Sequence, residues 1–222
     1  MINKKKFLIE NLKCVHKETD LVKTCQICNL RFINEILCFE NYSSEDLKKE
    51  NEKIKFNLSS WKKYNFQKVK EELKLKKKLK ILDVGSGRHF IEKIFPELND
   101  NDFFRLDLAN RDYVDIIADL QKDSYFNCCF DAVICLNVLE HVYSFREFFK
   151  NLSSLLKKDG VLILSVPYNS GLHYLPHDYF RMSHYALKRL LNENDFEIKS
   201  LEAFYQKNIN KIIRIFKNQN NN

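Results

Sequence analysis

From Ile81 onward, short β-branched and apolar runs alternate with amphipathic stretches, and this rhythm constrains the fold more than any other feature. Lys80-Ile-Leu-Asp-Val84 reads as a buried strand, followed by a glycine turn and a helix over Phe90–Phe95 that stops at Pro96. Phe103–Leu106 leads into Asp107, Val114–Ala118 leads into Asp119, and Phe130-Asp-Ala-Val-Ile-Cys-Leu136 is the next strand. A helix over Phe145–Lys157, a turn at Asp159-Gly160 and a strand over Val161–Val166, halted by Pro167, continue the pattern. A helix over Met182–Asn192 and a strand-like run over Glu197–Phe204 complete it. Near-continuous apolar strands separated by helices belong to a mostly parallel sheet covered on both faces. The expected fold is a doubly wound α/β domain over residues 79–222.

The first 79 residues differ: they contain no Gly and no Pro. Residues 1–78 read as an N-terminal extension. Residues 44–78 predict one or two helices, with Ser44 as a candidate N-cap and apolar residues at helical spacing at Ile54, Phe56, Trp61 and Tyr64. The lysines from Lys62 to Lys80 read as a solvated helix face. With 45% hydrophobic residues in 222, the chain is too apolar to be disordered. The net charge of +7 reads as a compositional bias toward lysine ahead of a nucleic-acid footprint. No apolar run approaches the ~18–20 residues of a membrane span, and the start does not read as a signal peptide, so a cytoplasmic location is expected. The seven cysteines, an odd number, fit a reduced protein. Cys25-Gln-Ile-Cys28 has the spacing of one zinc knuckle, but Cys14, His16 and Cys38 do not supply a second pair. The segment is expected to be metal-free, with zinc as the alternative. Cys128, Cys129 and Cys135 read as core.

In doubly wound folds ligands lie at the carboxyl ends of the strands. The first strand ends in Asp83-Val-Gly85-Ser-Gly87, which holds two of the four glycines in the chain. Asp107 follows Gly87 by 20 residues, at the end of the second strand, where an acid can accept from both ribose hydroxyls. Asp119-Leu120 follows the third. Together these point to an adenosine-type cofactor. A dinucleotide site wants a third glycine where this chain has Phe90, and Asp83 would repel a diphosphate while favouring a ligand that carries an ammonium group. S-adenosylmethionine fits better than NAD.

Ile81-Leu-Asp-Val-Gly-Ser-Gly87 resembles the first motif of class I S-adenosylmethionine-dependent methyltransferases. Ala118-Asp-Leu120, Phe130–Val142 and Leu155–Pro167 are similar to their later motifs, in the same order, so the resemblance covers about residues 79–205. His177-Asp-Tyr-Phe-Arg181 suggests the type-11 group. The resemblance implies a seven-stranded-type, Rossmann-like sheet and S-adenosylmethionine as cofactor. It places Gly85 and Gly87 at the methionine part, Asp83 near its amino end, Asp107 at the ribose, Asp119 and Leu120 at the adenine, and Asn137 at the methyl-transfer end. Candidate bases are His177 first, then His141 and His173. Asp178, Tyr179 and Arg181 either orient an anionic acceptor or form a salt-bridged loop. The expected activity is methyl transfer to a small metabolite, a lipid or quinone, or a sugar; nucleic acid is unsupported. The alternatives are a cofactor-binding protein without catalysis and, less favoured, an NAD-dependent oxidoreductase.

Overall fold

The computed structural model describes residues 3–11, 24–25, 30–33, 36–38, 60–74, 78–87, 90–109, 111, 113–122, 129–206 and 209–218. Its helices and strands are, in chain order, α1 (Lys4–Asn11), β1 (Thr24–Cys25), β2 (Leu30–Ile33), β3 (Ile36–Cys38), α2 (Ser60–Leu73), β4 (Lys80–Val84), α3 (Ile91–Ile94), β5 (Asp102–Asp107), β6 (Ile116–Ile117), β7 (Phe130–Leu136), α4 (Phe145–Leu155), β8 (Leu156–Asn169), α5 (His184–Asn192), β9 (Phe196–Gln206) and β10 (Ile209–Asn218). The strands form one sheet in the order β1-β2-β3-β6-β5-β4-β7-β8-β10-β9. β4 is parallel to β5 on one side, Ile81 opposite Phe103, and to β7 on the other, Ile81 opposite Ala132. Connections run outward from β4 in both directions, so the switch point of the sheet lies at its carboxyl end.

The two faces follow the period of two along the strands, with one phase shift in β7 at the irregularity between Phe130 and Ala132. Leu82, Val84, Phe104, Phe130, Val133 and Leu162 face α1, α4 and α5, with Phe7, Phe149 and Leu187 packed among them. Ile81, Phe103, Ala132, Ile134 and Ile163 face the other way, onto Phe66, Val69 and Leu73 of α2 and Ile91 of α3. Phe7 stacks on Phe104 at 4.8 Å between ring centroids, so α1 is part of the core. The extension also lengthens the sheet: β3 pairs in parallel with β6, Leu37 opposite Ile116.

Three sequence expectations change in detail. No turn breaks the chain at Asp159-Gly160; β8 runs through it as a bulge, since Phe130 pairs with Leu156 but Ala132 with Val161, and Asp159 takes φ 64°. Pro167 does not end the strand, because β8 continues to Asn169 against the antiparallel β10. β10 itself has no counterpart among the expected strands. It inserts between β8 and β9, antiparallel to both. Ser44, Ile54 and Phe56, like Cys14, His16, Cys28 and Cys128, lie outside the described residues.

Candidate active site

A cavity of about 860 Å³ opens at the carboxyl ends of β4 to β8, within the usual ~300–1,000 Å³ of a ligand site. Asp83, Gly85, Gly87, Asp107, Asp119, Leu120, Asn137, His141, His177 and Tyr179 all line it, so residues spread over almost a hundred positions converge here. Asp178 and Arg181 do not line it.

The glycine turn is built for close approach. Gly85 and Gly87 have φ 63° and 59°, a region other residues rarely enter. A Cβ at Gly85 would lie 2.6 Å from Cγ2 of Val138, so the neighbour that excludes a side chain there is Val138. Beside the turn, the Ser86 hydroxyl is buried without a hydrogen-bond partner.

Asp83, 9% exposed, is also without a hydrogen-bonding partner among the described residues. Burial pushes its carboxyl up to about 8, with Glu92 and Asp107 adding to the rise. Arg105 sits in register with it on β5 and pulls that value down, yet its guanidinium is paired with Glu92. A buried, unpaired carboxyl at the cavity wall is a binding group for a cation.

The other acids are held in place. Asp107 accepts from Arg111 at 2.6 Å and from the Ala109 amide at 3.0 Å. Asp119 accepts from the Gln121 amide at 2.9 Å, and Gln121 Oε1 in turn accepts from the amides of Tyr143 and Ser144. Asn137, at φ 59°, donates its amide to Ser165 O, and its Oδ1 accepts from Ser165 Oγ at 3.2 Å.

The opposite wall is aromatic. His141 and His173 meet edge to face at 5.0 Å, and Tyr174 lies 5.4 Å from His141. His141 Nδ1 is 2.6 Å from the carbonyl of His177; a carbonyl can only accept, so the proton is on Nδ1 and Nε2 carries the lone pair. Burial lowers this imidazole from its ordinary value. Glu140, whose side chain is fully buried, places Oε1 at 4.0 Å from His141 Nε2 and 3.6 Å from His173 Nε2. His177 Nδ1 contacts the Tyr179 hydroxyl at 2.8 Å.

The acceptor-orienting role expected of Arg181 and Asp178 does not survive the geometry. Arg181 Nε donates to Ser170 O, one terminal nitrogen donates to Asp178 Oδ1 and Phe180 O, and the other donates to Asp178 Oδ2 and Gly171 O. Its five N–H groups are all engaged, so none remains for an anion. Asp178 also accepts from the His173 amide at 2.8 Å, which makes the pair the knot of the loop after β8. The Arg181 hydrogen bonds hold the Asp178 carboxyl well below the usual carboxylate range.

Sequence reasoning did not single out Ser86, Asn65, Arg111 or Gln121. Asn65 left a signal: it is a polar residue on the apolar face of α2, beside Phe66 and Val69.

A model of the methyltransferase domain matches residues 58–201, well over half of the chain. The chain belongs to this family. It is a class I, S-adenosylmethionine-dependent methyltransferase. Among curated relatives, the ubiquinone biosynthesis O-methyltransferase of Rickettsia prowazekii is 26% identical over 173 residues, 63% of this chain and 67% of the relative. That of Rickettsia felis is 32% identical over 104 residues, 39% of this chain and 41% of the relative. Among solved structures, the 1,6-didemethyltoxoflavin-N1-methyltransferase of Burkholderia thailandensis aligns with a TM-score of 0.61 at 15% identity, covering 72% of this chain and 79% of that one. Phosphoethanolamine N-methyltransferase 2 of Haemonchus contortus aligns with a TM-score of 0.57 at 13% identity, covering 71% and 53%. The methyltransferase shares its fold with these. The polar groups of the cavity suit the cofactor: a buried unpaired carboxyl for an ammonium group, an orphaned hydroxyl beside it, and a glycine turn with no room for a Cβ at Gly85.

Proposed function

We propose that the methyltransferase moves a methyl group to the hydroxyl of a planar aromatic acceptor of the quinone-precursor class, with His141 as the base. The observation that carries this reading is the fixed tautomer of His141, whose lone-pair nitrogen is available while the ring is held neutral by burial. The two curated relatives named for ubiquinone O-methylation point to the same acceptor chemistry.

In this reading Gly85, Gly87 and Asp83 hold the methionine part of the cofactor, Asp107 the ribose, and Asp119 with Leu120 the adenine. Bound S-adenosylmethionine supplies a methyl group already activated by the sulfonium. The residues of the chain orient the acceptor, which supplies up to ~7–11 kcal/mol of a barrier, and take up its proton. A flat ring stacks against His141, His173 and Tyr174. The Ser170 hydroxyl, buried and without a hydrogen-bond partner, offers an acceptor contact on the same wall. The hydroxyl proton passes to His141 Nε2, and the Glu140 carboxylate stabilises the imidazolium that forms. His141 replaces His177 as first candidate because a carbonyl at Nδ1 fixes its tautomer, whereas the Tyr179 hydroxyl at His177 Nδ1 can donate or accept and leaves that tautomer open. We also propose a place in the type-11 group on His177–Arg181, a division into an extension over 1–78 and a catalytic domain over 79–222, and a cytoplasmic location. No described helix is long and apolar enough to cross a membrane.

The test is S-adenosylhomocysteine release with a panel of catechol-type phenols, with and without a prenyl tail, against amines and simple sugars. Turnover on the phenols is expected. His141→Ala should cut turnover at least ~10²-fold while leaving S-adenosylhomocysteine affinity within about threefold. Because the base is neutral until the pH falls below its lowered value, wild-type kcat/KM should hold down past pH 6.5 before it declines. Turnover on amines alone, or an unimpaired His141→Ala enzyme, contradicts the reading.

A further inference from the structure

Helix α2 presses on the cavity with a polar side chain that the fold alone does not explain. Asn65 is 1% exposed, yet it sits among the apolar residues Phe66, Val69 and Leu73 that seat α2 on the sheet. Its Nδ2 donates to Ser165 Oγ at 3.1 Å, and Ser165 Oγ donates onward to Asn137 Oδ1 at 3.2 Å. In this chain the amide nitrogen points to β8 and the oxygen does not. That oxygen, Oδ1, is buried and has no hydrogen-bond partner, and Asn65 is a residue of the cavity wall. A buried amide oxygen left without a donor costs ~1–3 kcal/mol, so a group that supplies one is the simplest explanation of its presence.

The position says which donor. The adenosine-binding acids Asp107 and Asp119 stand at the ends of β5 and β6, on one side of β4. Asn65 stands over β7 and β8, on the other side, tied to Asn137 and Ser165. A cofactor whose ribose and adenine occupy the first side carries its amino-acid end across the glycine turn toward the second. There Asp83 is already a carboxyl without a hydrogen-bonding partner among the described residues. An ammonium group has three N–H donors in a tetrahedral fan, more than Asp83 alone can use.

We propose that Asn65 Oδ1 is a contact for the ammonium group of the cofactor, so that α2, which precedes the first motif-bearing strand, reads the amino-acid end. This rests on the cofactor assignment above and adds to it a residue from an element that carries none of the motifs. The Ser165 hydroxyl is the positioning residue, since it fixes which end of the amide faces the cavity.

The test is calorimetric titration of the whole chain with two ligands, S-adenosylhomocysteine and 5′-methylthioadenosine, which lacks the amino-acid end. Asn65→Ala should weaken S-adenosylhomocysteine at least about tenfold, as expected for a lost hydrogen bond to a charged group, and leave 5′-methylthioadenosine within about twofold. Asn65→Asp, which keeps an acceptor toward the cavity, should retain S-adenosylhomocysteine within about threefold. Equal losses for both ligands, or no loss for either, overturn the proposal. If Asn65→Ala does not fold, Asn65→Asp decides, and a loss confined to S-adenosylhomocysteine in that variant overturns the proposal. A rise in the KM of the acceptor with both cofactor affinities intact would also overturn it, by moving Asn65 to the acceptor side. A wild-type chain that binds neither ligand instead fails the cofactor reading itself.

Discussion

The glycine-turn side of the cavity and the loop after β8 treat most of their polar groups in opposite ways, the partnerless Ser170 hydroxyl being the loop's exception. On the first side, the Ser86 hydroxyl of the turn and Oδ1 of Asn65 on α2 are buried with no hydrogen-bond partner among the described residues, and the Asp83 carboxyl is buried near the turn. In the loop, Arg181 engages all five of its N–H groups, Asp178 accepts from Arg181 and the His173 amide, and His177 meets Tyr179. Unsatisfied buried groups cost stability and mark a place completed by a ligand; self-satisfied groups hold a shape. In the proposed reading the first region is where the cofactor supplies the missing donors. The second is a rigid frame that presents His141 and the aromatic wall.

Substitutions on the two sides should separate into two phenotypes. The largest effect is expected at Gly85, where Gly85→Val should abolish cofactor binding: the side chain would meet Val138 and force a β-branched residue to φ 63°. Native affinity in calorimetry would break the contrast on its binding side. Arg181→Ala comes next, as a frame mutation. It leaves the buried Asp178 carboxylate with only the His173 contacts and should cost about 3 kcal/mol of stability, read as a melting-point drop of roughly 6–12 °C. Cofactor affinity of the folded protein should stay within about threefold. A stable Arg181→Ala variant with a raised acceptor KM would return this residue to the substrate. The smaller effect belongs to Asp107→Ala, which removes a two-point acceptor and should weaken S-adenosylhomocysteine by roughly 1.5–3 kcal/mol with the fold intact. Unchanged affinity would mean that the Arg111 and Ala109 contacts are its whole purpose.

The contrast was half legible in the sequence. Strand ends carry their own markers, so Asp83, Gly85, Gly87, Asp107 and Asp119 could be named from the runs that precede them. The parallel order was implied by strands apolar on both faces. The state of each group was not legible: that Asp83 lacks a partner depends on Glu92 pairing with Arg105, a contact between α3 and β5. Arg181 read equally well as an anion clamp or as a knot, because the carbonyls of Ser170, Gly171 and Phe180 that engage it carry no side-chain signal. β10 escaped because Ile209–Asn218 lies in a Lys- and Asn-rich tail and its apolar positions do not alternate cleanly. Asn65 escaped because it lies outside every motif, on a helix that reads as a lysine-rich face.

Asp83 tests the central claim most directly, through the pH dependence of binding and stability. Its folded value of about 8 lies above its ordinary 3.8, so between these the folded chain holds a proton that the unfolded chain has lost. Stability of the ligand-free protein should therefore fall as pH rises through that window, and Asp83→Asn should melt several degrees higher at pH 8. A cationic ligand reverses the preference, since it needs the carboxylate. S-adenosylhomocysteine titrated from pH 6 to pH 8 should tighten by at least about tenfold in the wild type and by much less in Asp83→Asn. Equal pH dependence in the two proteins, with equal affinity, would contradict the assignment of the glycine-turn side as the seat of the amino end.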